Sequence, residues 1–91
     1  MIYEYDELER LLKIDDKTIY FEPKEHDVFK LLLKNEGKVV SYDDIDEVLT
    51  FGYGFNPHYK NTVMSRIRKK LGDSAELTNI TRVGFKLRFL N

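Results

Sequence analysis

Apolar residues recur at two different periods along this chain, and the switches between them predict the order of its elements. From Ile2 to Phe21 the period is close to two. Tyr3 and Tyr5 alternate with acidic residues, while Leu11–Ile14 and Thr18–Phe21 flank the turn sequence Asp15-Asp16-Lys17. This predicts a small meander of three strands, although Asp6 to Leu12 also reads as a helical turn. From Pro23 to Asn35 the period becomes helical. Pro23 suits the first helical position, Glu25 and Asp27 favour the positive end of the dipole, and Val28, Phe29, Leu31 and Leu32 form the buried stripe. Gly37 is the expected stop. Lys38 to Val40 has room only for a brief strand. Ser41 then caps a second helix, with Asp44 three residues on, and Ile45, Val48 and Leu49 face inward. Phe51 to Phe55, FGYGF, predicts a loop in which two glycines end that helix and three aromatics await cover.

The next stretch organises the rest. Asn56 to Gly72, NPHYKNTVMSRIRKKLG, predicts a helix with Asn56 as N-cap, Pro57 at the first position and Gly72 as the left-handed terminator. Met64, Ile67 and Leu71 lie on one side. Thr62, Ser65, Arg66 and Lys69 lie on the other, extended toward the N-terminus by His58 and Tyr59. His58 to Gly72 holds five Lys or Arg and no acidic residue. A helix that is apolar on one face and cationic on the other fits a DNA major groove while staying anchored to its own domain. A solvated surface helix with a basic tail explains the same pattern without DNA. After a turn at Asp73 to Glu76, Leu77–Thr81 and Phe85–Phe89 predict a hairpin with Arg82-Val83-Gly84 at its tip. Phe85, Leu87 and Phe89 alternate there with Lys86 and Arg88, giving an apolar and a cationic face.

Charge sharpens this picture. The formal net charge of −1 conceals a separation: residues 1–57 carry 7 Lys or Arg against 14 Asp or Glu, and residues 58–91 carry 8 against 2. A basic end is the electrostatic footprint expected for a polyanion, and the acidic half restricts which face can dock. At 91 residues, 42% hydrophobic and 34% charged, the composition is that of one small globular domain, spanning residues 1–91. The absence of cysteine excludes disulfides, thiolate nucleophiles and cysteine zinc sites and fits the cytoplasm. No apolar run approaches the ~20 residues that span a bilayer, and the acidic N-terminus is unlike a signal peptide.

Candidate chemistry is sparse. His26 and His58 are the only histidines, at no metal-ligand spacing, and His26 is expected at the surface among charged helix residues. Asp43, Asp44, Asp46 and Glu47 lack the spacing and glycine of a calcium loop, which leaves a solvated or protein-docking helix face. Gly52 and Gly54 have neither the preceding strand nor the Lys-Ser/Thr of a phosphate loop. With no nucleophile and base, the chain is read as a non-enzyme without cofactor, metal or small-molecule substrate.

Strands, helix, short strand, two helices and a hairpin make an α+β chain with the layout of a winged helix-turn-helix. Here the sequence resembles the OmpR/PhoB family of response-regulator output domains, from about Leu8 to Phe89. FEPKEHDVFKLLLKNEGKVVS, Phe21 to Ser41, is similar to the family's Leu-Thr-Pro-Lys-Glu, leucine-rich helix and Asn-x-Gly-x-Val-Val-Ser. MSRIRKKLGD, Met64 to Asp73, is similar to Ile-Ser-Arg-Leu-Arg-Lys-Lys-Leu-Gly, and ITRVGFKL to the wing run Val-Arg-Gly-Val-Gly-Tyr-Arg-Leu. The resemblance implies a sheet over residues 1–21, a three-helix core over 23–72 and a wing over 77–90. It implies a recognition helix in the major groove and a wing at the minor groove, in a cytoplasmic two-component regulator of transcription. Arg66 matches the arginine that reads bases and Arg68 one that grips phosphate, while Thr62 and Tyr59 match positions against the DNA. With His58, Ser65, Lys69, Lys70, Arg82 and Lys86 these complete the expected DNA-binding set. The loop Phe51 to Pro57 corresponds to the family's polymerase-contacting loop, making Phe51, Tyr53 and Phe55 candidates for RNA polymerase, and family members pair head to tail on DNA. Four departures stand out. Glu22 replaces a threonine cap, Lys60 a buried valine and Val63 a histidine, and Thr81-Arg82 stands where the family has Arg-Gly. No receiver domain matches these residues, which leaves open an excised domain or a protein that works without phosphorylation. The alternative is a winged-helix protein adaptor, whose basic helix docks an acidic partner.

Overall fold

The structure, a computed structural model, describes residues 3–53 and 59–90, with backbone alone at 52 and 53. It begins with the meander β1 (Tyr3–Asp6), β2 (Leu11–Ile14) and β3 (Lys17–Tyr20), an antiparallel sheet in that order. Residues 7–10 form turns between β1 and β2 rather than a helix. Lys17 pairs with Ile14 as the first residue of β3, so the β2–β3 turn is the two residues Asp15 and Asp16. Their φ values, +50° and +65°, are the pair of left-handed conformations that a tight hairpin requires, and aspartate tolerates them better than most residues. Leu12, Ile14 and Ile19 are buried beneath the sheet.

Helix α1 (Pro23–Lys34) opens with proline at its start, and the Glu22 amide donates to Glu25 Oε1 at 3.0 Å. Val28, Phe29 and Leu32 are fully buried as the helical period predicts, and Leu31 is half-buried. Two polar residues join them against expectation. Glu25 keeps only 2% of its surface and His26 5%. A buried carboxylate needs a counter-charge, and Lys70 supplies it as an ion pair. His26 leaves the predicted surface because its Nε2 meets the Tyr5 hydroxyl at 2.6 Å, joining α1 to the first sheet.

Strand β4 (Val39–Ser41) leads into α2 (Tyr42–Tyr53), where Ser41 Oγ accepts the Asp44 amide at 3.1 Å. The helix runs through Phe51 and Gly52, so the predicted glycine break comes late; residues 54–58 lie outside the described set. Helix α3 (Tyr59–Leu71) ends at Gly72, whose φ of +55° is the expected left-handed stop. The proposed cap at Asn56 and Pro57 lies outside the described residues. Both α2 and α3 pack on α1. The hairpin β5 (Ala75–Ile80) and β6 (Gly84–Phe89) takes β4 as a third strand, in the order β4-β6-β5. Its tip is Thr81, Arg82 and Val83, with Gly84 already inside β6 and Ala75 and Glu76 inside β5. Glycine is required at 84, since a Cβ there would lie 1.8 Å from the Val40 carbonyl oxygen. Tyr3 stacks on Phe89 at 4.7 Å between ring centroids and ties the two sheets together.

Candidate nucleic-acid interface

The anchoring of α3 decides what it presents. Val63, Met64, Ile67 and Leu71 are each at most 3% exposed and lock one side of the helix into the core. Thr62, Ser65, Arg66 and Lys69 are exposed together on the other side, at spacings of three and four residues. Among the described residues Arg66 and Lys69 have no hydrogen-bond or ionic partner. The side chain of His58 lies outside the described residues. Tyr59 is half-buried beside the core, and Lys24 Nζ sits 3.7 Å from its ring centroid.

The remaining cations of the helix are employed within the chain. The Arg68 guanidinium donates from Nε and Nη2 to the Leu77 carbonyl, at 3.1 and 2.8 Å, and so fastens α3 to β5. Three of its five N–H groups are left over. Lys70, also in the expected set, is held by two partners within the chain. Its ammonium donates to Glu25 and to the Tyr20 carbonyl at 2.8 Å, so it neutralises a buried carboxylate. Lys60, where the resembling family has a buried valine, pairs with Asp46 at 3.3 Å and holds the front of α3 to α2.

In the wing, Arg82 occupies the tip with φ of +67°. The glycine of the family pattern falls at this position, and the backbone keeps the conformation that glycine would favour. Lys86 is half-buried and Arg88 exposed, on the opposite side of β6 from buried Phe85 and Leu87. Tyr42 was not foreseen. Its hydroxyl donates to Asn79 and its ring meets Phe85 edge-on at 5.7 Å, so the start of α2 braces the wing. Only a sequence separation of 37 residues connects that pair, and no local pattern signals it. Phe51 is 95% exposed and does not cover the core edge, whereas the side chains of Tyr53 and Phe55 lie outside the described residues.

A three-helix core whose third helix shows a free cationic face, braced by a three-stranded wing, defines a winged helix-turn-helix. The family model described as "Transcriptional regulatory protein, C terminal" matches residues 16–87, and the chain belongs to this OmpR/PhoB-type family of transcription regulators. Solved structures agree in fold. The C-terminal domain of the nisin resistance regulator NsrR superposes with a TM-score of 0.74 at 29% identity, covering 91% of this chain and 89% of that one. The DNA-binding domain of CpxR from E. coli gives 0.74 at 20% identity, covering 94% and 89%. That of Klebsiella pneumoniae RstA, solved in complex with the RstA box, gives 0.72 at 18% identity, covering 92% and 88%. Curated proteins provide no match. No helix of the described residues is long and apolar enough to cross a membrane.

Proposed function

We propose that this chain binds double-stranded DNA sequence-specifically as the output domain of a bacterial transcription regulator, without enzymatic activity. The observation that carries this reading is the face of α3: Thr62, Ser65, Arg66 and Lys69 exposed on a helix whose other side is locked in the core. Arg66, central on that face, has the planar fork that matches guanine O6 and N7, and Thr62 and Ser65 supply short hydroxyl contacts. Lys69 and the outward N–H groups of Arg68 grip flanking phosphates, while Arg82 carries a charge at the wing tip into the neighbouring minor groove. Lys86 and Arg88 add phosphate contacts from the wing strand. The DNA-binding domain of RstA, solved on its own DNA box, supports the analogy at the level of fold. On this reading the chain is one domain acting in the cytoplasm. Phe51 stands where the family meets RNA polymerase, and two copies line up head to tail on DNA.

Selection of bound duplexes from a random DNA pool tests the proposal. The expected result is one short motif, repeated at a spacing of about one helical turn, roughly 10 base pairs. Retention of the pool without enrichment of any motif would contradict sequence-specific reading.

A further inference from the structure

The last carbonyls of a helix have no partner within it. At the end of α3 the Leu71 carbonyl accepts the Ser74 amide at 3.0 Å and the ammonium of Lys17 at 2.9 Å. Lys17 comes from the first sheet, as the opening residue of β3. It faces Ile14 across the hairpin and stands two residues before Ile19, so it lies on the apolar side of that sheet. A lysine placed there needs a destination for its charge. Its long stem carries the ammonium out to the helix end, where the dipole favours a cation. Among the described residues no carboxylate pairs with it, although Asp15 and Asp16 precede it in sequence. Gly72 keeps the approach open, since a Cβ there would lie 3.2 Å from the Lys17 nitrogen.

A second bond runs the other way. Lys70 on α3 donates to the carbonyl of Tyr20, the last residue of β3, at 2.8 Å. Strand and helix therefore exchange bonds at both ends of the strand. One tether would let the helix swivel about it, whereas two at opposite ends also fix its direction. We propose that Lys17 is a positioning residue for base reading, an inference that rests on the DNA reading of α3 above. Lys17 itself touches no DNA. It holds the last turn of α3, just over one turn beyond Arg66, so that the Arg66 guanidinium meets base edges at a fixed angle. Such a contact tolerates errors of only about 0.5 Å and 10–20°. A lysine on a phosphate tolerates more, being a point charge on a flexible stem. Losing the Lys17 bond therefore costs selectivity before it costs general attraction to DNA.

The test uses the whole chain on a duplex selected from a random pool and on its scrambled counterpart, at several salt concentrations. Lys17→Met keeps the stem and removes the ammonium, and the Leu71 carbonyl retains the Ser74 amide. Thermal unfolding is followed in parallel, and binding is measured well below the melting temperature. Should the methionine variant unfold, Lys17→Gln takes its place with the same expectation. The expected result is that Lys17→Met binds the selected duplex about tenfold more weakly and the scrambled one within about twofold of the native chain. Its salt slope stays native, because no phosphate contact is lost. Lys17→Arg, whose guanidinium still donates to a carbonyl, recovers most of the loss. Equal losses on both duplexes with the slope lowered by about one unit would overturn the proposal, making Lys17 a phosphate contact. A loss that Lys17→Arg shares in full would overturn it too. Unchanged selectivity in Lys17→Met, with a selective native chain, would overturn the positioning role and leave the DNA reading standing. A native chain that binds both duplexes alike would overturn the DNA reading, and the positioning role with it.

Discussion

At Arg82 backbone strain and the proposed DNA contact pull in opposite directions. It holds a left-handed backbone, φ +67°, at the wing tip, where a side chain costs about 1–2 kcal/mol. Glycine removes that strain but adds unfolded-state entropy, so Arg82→Gly is expected to stabilise the fold by about 0.5–1 kcal/mol. The same change deletes the tip charge and should weaken DNA binding. Thermal unfolding alongside a DNA titration checks both signs, and a variant that is more stable and binds equally well would remove Arg82 from the interface. His26 is a second residue whose placement matters. Burial lowers its pKa from the ordinary 6.5, with Lys30 and Arg10 adding to the effect and Asp27 and Glu7 opposing it. Tyr5, held at 2.6 Å, is pushed the other way, above its ordinary 10.0, again chiefly by burial. The folded state therefore binds fewer protons at His26 than the unfolded state does, and stability falls as pH drops through the unfolded value of about 6.5 toward the lowered one. Melting temperatures from about pH 7.5 to about pH 5 should decline more steeply for the native chain than for His26→Gln. Parallel curves would mean that His26 does not titrate out of its site.

Among the elements, α3 depends on its buried side. Ile67 is fully buried, and Ile67→Ala should cost about 2–4 kcal/mol in denaturant unfolding. An unchanged midpoint would mean that the helix is anchored by some other face. That face was legible in the sequence because Met64, Ile67 and Leu71 recur at helical spacing and Gly72 marks the stop. The hairpin was legible for the same kind of reason, since Phe85, Leu87 and Phe89 alternate with cations. What escaped local reading depended on distant partners. Glu25 and Lys70 lie 45 residues apart, so neither the burial of the carboxylate nor its pairing with Lys70 has a local signal. Tyr5 and His26 are 21 residues apart and escaped notice for the same reason. The end of α2 was missed differently. Glycine costs a helix only about 1 kcal/mol, and α2 continues through Gly52 to Tyr53. Strand β4 was foreseen as a fragment, but its place beside β6 was not, because only close backbone approach at Gly84 permits it.

For the whole molecule, separation of charge and separation of labour coincide. Buried or bridging cations such as Lys70, Lys60 and the fork of Arg68 hold the helices, the sheet and the wing in one frame. Among the described residues Arg66 and Lys69 are left free by that frame, on a helix face that lacks acidic neighbours in sequence. The central claim is that Arg66 reads bases while Lys69 grips the backbone. The direct measurement compares Arg66→Ala with Lys69→Ala on a selected duplex and on its scrambled counterpart, each titrated at several salt concentrations. Arg66→Ala should lose about 1–3 kcal/mol on the selected duplex, relax preference at one base pair and lose far less on the scrambled one. Lys69→Ala should weaken both duplexes alike and lower the salt slope by about one unit. Equal losses on both duplexes for Arg66→Ala would contradict base reading by that residue, and no loss for either variant would contradict the placement of DNA on this face of α3.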